Sequence, residues 1–150
     1  VAQDFARKRG MILVNIPHAT ALYHTADANF GDIKQEAPSP NDFLSLIKNA
    51  EYIFTDSFHA MVFSVVFEKQ FFVFERQNYA SMSTRTESFM KLLRASERFC
   101  NSEEGSILSN IESLPDIDYS DSFENLAQMK EKSLEFLQNS LNTAKLIVKK

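Results

Sequence analysis

The chain has 150 residues, and its 20 acidic and 16 basic side chains give a formal charge of −4. That length fits one domain with a hydrophobic core of its own, and a hydrophobic content of 44% is ordinary for a globular protein. The acidic balance excludes the basic face that non-specific nucleic-acid binding requires, so we expect no nucleic-acid partner.

The cysteine content and the apolar runs indicate the compartment. A single cysteine, Cys100, excludes an intramolecular disulfide and fits a reducing environment, where it would be a small buried apolar residue. No apolar run reaches the ~18 residues of a transmembrane segment, and the polar first ten residues do not resemble a secretory signal. We therefore expect a cytoplasmic protein, with peripheral attachment to the inner face of the membrane left open.

The first third of the chain predicts a helix, a strand and a long loop. Residues 3–9 are helical in character, and Gly10 is placed to end that helix. The apolar run 11–17 predicts a strand, and its continuous apolarity indicates burial on both faces, as in a parallel sheet. Residues 18–38 predict a long functional loop with a short strand near Ile33.

A helix start follows at Ser39, which is the N-cap, with Pro40 at the first helical position and Asp42 completing a capping box. The run 52–55 predicts a buried strand, and the run 71–74 predicts another. The segment 58–69 favours a strand by propensity. We interpret it as a buried helix, because a parallel strand pair needs a crossover of about a dozen residues.

The second half of the chain is less regular. A polar loop is predicted over 76–83, and Thr84 to Glu87 form a second capping box that would begin a helix. A short strand is predicted around Phe99, followed by an irregular region over 101–120. From Asp121 onward the pattern predicts a long final helix, whose apolar seam contains Leu126, Leu134, Leu137 and Leu141.

The alternation of strands and helices predicts one α/β domain over 1–150. We expect a Rossmann-like, doubly wound fold with a largely parallel sheet, right-handed crossovers, flanking helices and a long C-terminal helix. In such sheets ligands bind beyond the carboxyl ends of the strands. Three loops would meet there, at 18–38, 56–59 and 75–85.

The segment after the strand 52–55 carries the strongest chemical signal. Thr55-Asp56-Ser57 ends the strand, and His59 falls in the first turn of the next helix. Backbone N–H groups, the positive end of the helix dipole and an imidazole would then face one point, which suits an anion. The alternative is that Asp56 or Ser57 only caps the helix and His59 is a partly buried packing residue.

Arg85 would add a second cationic group from the first turn of the next helix. Its planar guanidinium suits a carboxylate or a phosphate held by two hydrogen bonds. A histidine at a helix N-terminus tends to be neutral when the site is empty, whereas a bound dianion favours its protonation. Together His59 and Arg85 predict a site for a small, multiply charged anion.

Other chemistries find little support. The three glycines, Gly10, Gly31 and Gly105, cannot form a phosphate-binding glycine-rich loop. The loosely spaced His18, His24 and Asp27 match no metal-binding motif, so neither a metal nor a cofactor is expected. A triad of Ser57, His59 and Asp56 is excluded, because neighbours on one turn cannot reach one another in the required geometry.

The run from Ser39 to His59 resembles the polysaccharide pyruvyl transferase family, whose members carry a P-x-x-F-L-x-L-I-x-x-A helix, a strand and a T-D-S-F-H-G turn. The resemblance continues through 62–74, through Arg85 ahead of a leucine-containing helix, and through 132–137. It covers residues from about 11 to 141, and Asp-Ser-Phe-His is its most specific part.

This resemblance implies two Rossmann-like domains, similar to the GT-B glycosyltransferases, of which the chain resembles the C-terminal half and lacks the N-terminal domain. Family members transfer the enolpyruvyl unit of phosphoenolpyruvate to a sugar as a pyruvate ketal. The implied partners are phosphoenolpyruvate, as donor substrate, and a glycan or lipid-linked sugar acceptor in cell-surface exopolysaccharide biosynthesis. By similarity His59 is the general acid, Arg85 holds an anionic group, and Ser57 and Phe58 help to bind the donor.

Two departures from the family pattern leave other functions open. Ala60 replaces the usual glycine beside His59, and Gln70 replaces a proline that commonly precedes the strand. Ala60 would add a methyl group near the donor. One alternative is a nucleotide-sugar-binding domain of a GT-B-type glycosyltransferase. Another is a non-catalytic interaction domain that associates with itself.

Overall fold

The computed structural model describes residues 1–17, 30–75, 80–100 and 107–148. They form a mixed α/β structure with parallel strands. The helices are α1 (Ala2–Arg9), α2 (Pro40–Asn49), α3 (Phe58–Val66), α4 (Ala80–Leu92), α5 (Ile107–Ser113) and α6 (Tyr119–Val148). The strands are β1 (Val14–Asn15), β2 (Ile33–Lys34), β3 (Tyr52–Thr55), β4 (Gln70–Phe74) and β5 (Phe99–Cys100).

The main sheet contains three parallel strands in the order β3-β4-β5. Successive side chains of a strand point to opposite faces of the sheet, so the two faces of this sheet contact different helices. Phe71 and Val73 pack on one face against residues of α3, α4 and α6, whereas Phe72 and Cys100 pack on the other face against α1 and α5. Helices therefore cover both faces, and the predicted doubly wound α/β architecture is confirmed.

Helix α3 is the crossover between β3 and β4, as the connectivity predicted. It is apolar over most of its length, and Met61, Ser64 and Val65 are buried against the sheet. The hydroxyl of Ser64 donates to the carbonyl of Ala60 at 2.7 Å, so this buried polar group is satisfied within the helix. Tertiary burial thus overrides the strand propensity of the valine and phenylalanine residues.

The predicted strand at 11–17 differs from the expectation. Its regular part is only β1, which pairs in parallel with β2 in a separate two-stranded sheet. The prediction that it is buried on both faces is wrong, because Ile12 is 70% exposed and Val14 and Ile16 are also exposed. A β-carbon on Gly31 would lie 3.0 Å from the Asn15 β-carbon, and the φ of Gly31 is +89°, so this close approach requires glycine.

Two helix boundaries in the second half also differ from the prediction. Helix α4 begins at Ala80, so Thr84 is inside it, where its carbonyl accepts from the Ser88 hydroxyl at 2.7 Å. The region 101–120 is not wholly irregular, because α5 forms there and Ile111 packs against the α1 side of the sheet. Helix α6 starts at Tyr119, two residues earlier than expected.

The loop before α6 and the first turn of α6 are attached to the start of β4 and the end of α4 by part-buried and buried polar contacts. The side chain of Gln70 accepts from the Ile117 amide at 2.8 Å and donates to the Ile117 carbonyl at 3.5 Å. The Tyr119 hydroxyl donates to the Lys69 carbonyl, and the Ser122 hydroxyl donates to the Leu93 carbonyl at 2.9 Å. Burial raises the pKa of the Tyr119 phenol well above its usual value, so it remains a hydrogen-bond donor.

Arg98 secures the loop that precedes α6. Its side chain is 2% exposed, stacks 5.0 Å above the Phe72 ring, and donates to the carbonyls of Phe71 and Pro115. Burial lowers the pKa of the guanidinium. A small cavity of about 180 Å³ lies beside it, but the Arg98 guanidinium there is already occupied by backbone carbonyls. At the amino end of β5, the polar groups of Arg98 are therefore occupied in holding the fold together.

The outer part of α6 contacts little of the described chain. All residues from 127 to 143 are exposed, and Leu134 and Leu141 keep 55% and 54% of their surfaces exposed. The predicted apolar seam is therefore docked at Leu126 and open beyond it. Within the described residues, no helix is both long enough and apolar enough to cross a membrane.

Replacing Gln70 tests the attachment of α6. Gln70→Leu removes both hydrogen bonds to Ile117 and leaves a part-buried amide and carbonyl unpaired. We expect the free energy of unfolding to fall by about 1–3 kcal/mol in urea titration. Gln128→Leu, on the exposed part of α6, is the matched control and should change it little. Equal effects of the two substitutions would contradict this role of Gln70.

The capping box of α2 predicts a pH-dependent contribution to the free energy of unfolding. Asp42 accepts from the Ser39 amide at 3.1 Å and from the Ser39 hydroxyl at 2.6 Å, and these bonds lower the pKa of Asp42 below 3.8. A depressed folded-state pKa contributes stability that is complete above the unfolded value and is lost as pH falls through the folded value.

Asp42→Asn should therefore destabilise the protein at neutral pH, and the difference from the parent should shrink once pH falls below 3.8 and through the folded pKa. Comparing the two proteins cancels Asp118, whose pKa is also lowered by its hydrogen bonds to Ser120. Urea titrations of both proteins across this pH range provide the measurement. A difference that does not vary with pH would show that Asp42 does not titrate as its bonds require.

Candidate functional site

The turn between β3 and α3 is built by hydrogen bonds of two hydroxyl side chains. The Ser57 amide donates to the Thr55 hydroxyl oxygen at 3.0 Å, and the Ser57 hydroxyl oxygen, at the N-cap, accepts from the Ala60 amide at 3.4 Å. Helix geometry leaves the amides of Phe58 and His59 without intrahelical acceptors. The positive end of α3 therefore lies at the carboxyl end of β3, where α/β sheets bind ligands.

His59 is the second residue of α3 and is exposed. Its ring lies 6.2 Å from the Phe58 ring, with 81° between the two planes. The packing alternative required a partly buried imidazole, whereas the structure leaves it exposed. The capping alternative is true of Ser57, but a cap and an anion site are compatible, since capping satisfies only some of the free amides.

Arg85 lies in the second turn of α4, because that helix begins at Ala80. The prediction that Arg85 occupies a first turn, and that this placement against the dipole indicates an anion, is therefore wrong. The guanidinium carbon nevertheless lies 4.3 Å from the centre of the Phe58 ring. Since the same ring contacts His59, the structure brings Arg85 and His59 to one aromatic side chain.

The charge on Arg85 is available for a ligand. Its side chain is exposed, and within the described ranges no aspartate or glutamate forms an ion pair with it. An arginine that stacks on a ring keeps its in-plane N–H groups free for hydrogen bonds. The exposed imidazole, the exposed guanidinium and the N-terminal amides of α3 together offer hydrogen-bond donors beside β3, next to the exposed carboxylate of Asp56.

The two departures from the family pattern fall in different places. Ala60 is 5% exposed, and among the described residues the only non-glycine positions with positive φ are Glu68 and Arg94. The backbone of the turn thus accommodates alanine without strain. Gln70 is the first residue of the central strand β4, at the end of the sheet opposite to the site, where it holds the loop before α6.

Residues 18–29 of the first predicted loop, which contain the rejected metal candidates His18, His24 and Asp27, and residues 76–79 of the third loop lie outside the described residues. Within the described part, no group of three or more histidine, cysteine, aspartate or glutamate residues is placed to hold a metal ion. The contact between Phe58 and α4 is not predicted by the sequence. The signal for it is weak, because it consists only of an aromatic residue in the turn and an arginine four residues before Phe89.

Comparison with known proteins identifies the family. A sequence model of the family described as polysaccharide pyruvyl transferase matches residues 2–78. No curated protein and no solved structure matches the chain. The matched stretch includes the turn with Ser57 and His59 and ends before Arg85. It spans more than half of the 150 residues, so the chain belongs to the polysaccharide pyruvyl transferase family.

Proposed function

We propose that this domain binds phosphoenolpyruvate for a pyruvyl transferase that acts on a cell-surface polysaccharide precursor. The observation that carries the proposal is the meeting of His59 and Arg85 on the Phe58 ring at the N-terminus of α3, in a chain of this family. Phosphoenolpyruvate carries a phosphate and a carboxylate. The site offers donors of matching kinds to both groups.

In this proposal the amides at the start of α3 and the helix dipole bind one anionic group of the donor, and Arg85 binds the other through paired N–H groups. His59 then acts as general acid toward the donor. As the ketal forms, the methylene carbon of the donor gains a proton. The adjacent carbon loses the double bond and its bond to the phosphate oxygen, and it gains bonds to two sugar oxygens. The two sugar hydroxyls lose their protons, which balance the proton gained by the methylene carbon and the one taken up by the released phosphate.

The acceptor side of the reaction is also part of the proposal. By the family resemblance we place a glycan or a lipid-linked sugar on a second Rossmann-like domain, in a GT-B-like arrangement, in the cytoplasm. The domain described here then supplies donor binding, and we expect no turnover without the acceptor domain. No step requires a metal or an additional cofactor.

A structural observation favours one alternative, the interaction domain. The open seam of α6, with Leu134, Leu137 and Leu141 more than half exposed, suits a non-catalytic domain that associates with itself. The nucleotide-sugar alternative is supported only by the shared fold class, which does not determine function. Ligand binding separates all three functions.

Ligand-induced stabilisation tests the proposal. Phosphoenolpyruvate at about 100 times its dissociation constant should stabilise the folded chain by about 2.7 kcal/mol, raising the melting temperature by several degrees. His59→Ala and Arg85→Ala should each reduce this shift, and the double variant should abolish it. Arg7→Ala is the control for lost positive charge, because Arg7 is exposed on α1, on the opposite face of the sheet.

The ligand series decides between the functions. A larger shift with a UDP-sugar than with phosphoenolpyruvate would favour the nucleotide-sugar domain. No shift with either ligand, together with oligomers that increase with concentration in sedimentation, would favour the interaction domain. A double variant that responds as the parent does would show that the donor binds elsewhere.

Substitutions of Ser57 separate the cap from the ligand site. Ser57→Asp keeps a capping oxygen, so the free energy of unfolding should stay close to that of the parent, whereas Ser57→Ala should lose about 1 kcal/mol. The aspartate also places a negative charge beside the anion site and should weaken phosphoenolpyruvate binding by at least tenfold. Calorimetric titration measures binding. Equal affinity of Ser57→Asp and the parent would place the anion away from the α3 terminus.

A further inference from the structure

We infer that Phe58 is a positioning residue, whose ring holds the Arg85 guanidinium beside His59 with its N–H edge free for the donor anion. This inference rests on the proposed function, because it assigns a task within the same site. It differs from direct donor binding by Phe58, since the ring acts through Arg85.

The ring of Phe58 has three neighbours. Arg85 lies over it at 4.3 Å, Phe89 meets it edge-on with ring centres 5.9 Å apart, and His59 lies at 6.2 Å. Arg85 and Phe89 are four residues apart and therefore lie on the same side of α4. Two contacts from α4 and one from α3 thus fix the ring, which is half-buried against the core.

Stacking suits arginine in particular. The guanidinium is planar, so contact through its face leaves all five N–H groups in the plane available to a carboxylate or phosphate. A lysine ammonium could also lie over the ring, but it lacks this two-bond edge. A long exposed side chain held on a rigid ring also loses less conformational freedom on binding, which raises affinity.

The position of Phe58 in the sequence gives the contact its importance. Phe58 directly follows the N-cap Ser57, so its backbone amide belongs to the free N-terminal donors of α3. One residue thus presents an amide to the anion and a ring to Arg85. The donors of α3 and the cation of α4 are thereby held in register, although they come from separate helices.

A tryptophan reporter tests the contact, because the chain contains no tryptophan of its own. In Phe58→Trp the indole retains an aromatic face for Arg85, and its emission reports only on this site. We expect phosphoenolpyruvate to change the emission and the Phe58→Trp/Arg85→Ala variant to lose that change. An identical change with and without Arg85 would overturn the inference.

Affinity measurements complete the test. Phe58→Leu should weaken phosphoenolpyruvate binding about tenfold, whereas Phe58→Tyr should bind as the parent does. Adding Phe58→Leu to Arg85→Ala should cause little further loss, because both substitutions remove the same contact. Phe63→Leu is the matched packing control, since Phe63 lies on the same helix and its ring meets Phe43, with ring centres 6.3 Å apart, rather than Phe58. It should lower the melting temperature without weakening binding.

The outcomes separate this inference from the proposed function. Parent-like binding by Phe58→Leu, or additive losses in the double variant, would overturn the positioning role while the donor site stands. If inorganic phosphate gives an Arg85-dependent emission change and phosphoenolpyruvate binds no better than phosphate, the donor assignment fails and the positioning role stands. No response of the parent and the tryptophan variant to either anion would overturn both.

Discussion

The pairing of β3 with β4 is the constraint on which the rest of the domain depends. Its register sets Thr55 opposite Val73 and so fixes where β3 ends and α3 begins. Apolar burial on both faces holds the two strands in that register, since a slip of one residue would exchange the residues that face the two cores. The placement of Ser57, Phe58 and His59 therefore follows from the packing of the sheet, at a distance from the proposed ligand site.

Within that frame, the residues of the proposed site also have structural roles. Ser57 satisfies one amide of α3 and leaves others free, while Phe58 packs on the core and also meets Arg85. Among the described residues, the polar side chains at the amino ends of β4 and β5 form structural contacts instead. There the side chains of Gln70, Arg98 and Tyr119 hydrogen-bond to backbone atoms. These bonds hold the loop before α6 and its first turn. The two ends of one short sheet thus have separate tasks.

Local patterns predicted much of this fold. The α2 capping box, the Gly10 helix end, β3 and the α3 crossover all follow from local signals or from strand connectivity, and the structure contains each of them. The exposure of β1 could not be predicted, because an apolar run does not reveal whether anything covers its second face. The wrong helix start predicted at Thr84 has a related cause. A capping-box sequence can lie inside a helix as well as at its beginning, and the local sequence is the same in both cases.

For the site, the turn was predictable and its partner only in part. The position of His59 in a first turn follows from the local sequence, whereas the approach of Arg85 to Phe58 depends on how α4 lies across the sheet. Arg85 was identified by resemblance, and the first-turn geometry predicted for it was wrong. The contact with Phe58 arises from the side-chain direction within the second turn of α4.

The free length of α6 has a consequence for its own integrity. A helix of 30 residues extends for about 45 Å, and its polar attachments to the sheet involve only its beginning. Over residues 127–143 all side chains are exposed, so this part of the backbone is held by its own helical hydrogen bonds. In proteins most of the stability of a helix comes from tertiary packing of its apolar face rather than from intrinsic propensity. The outer turns should therefore fray and exchange their amide protons quickly, unless another surface covers the leucines.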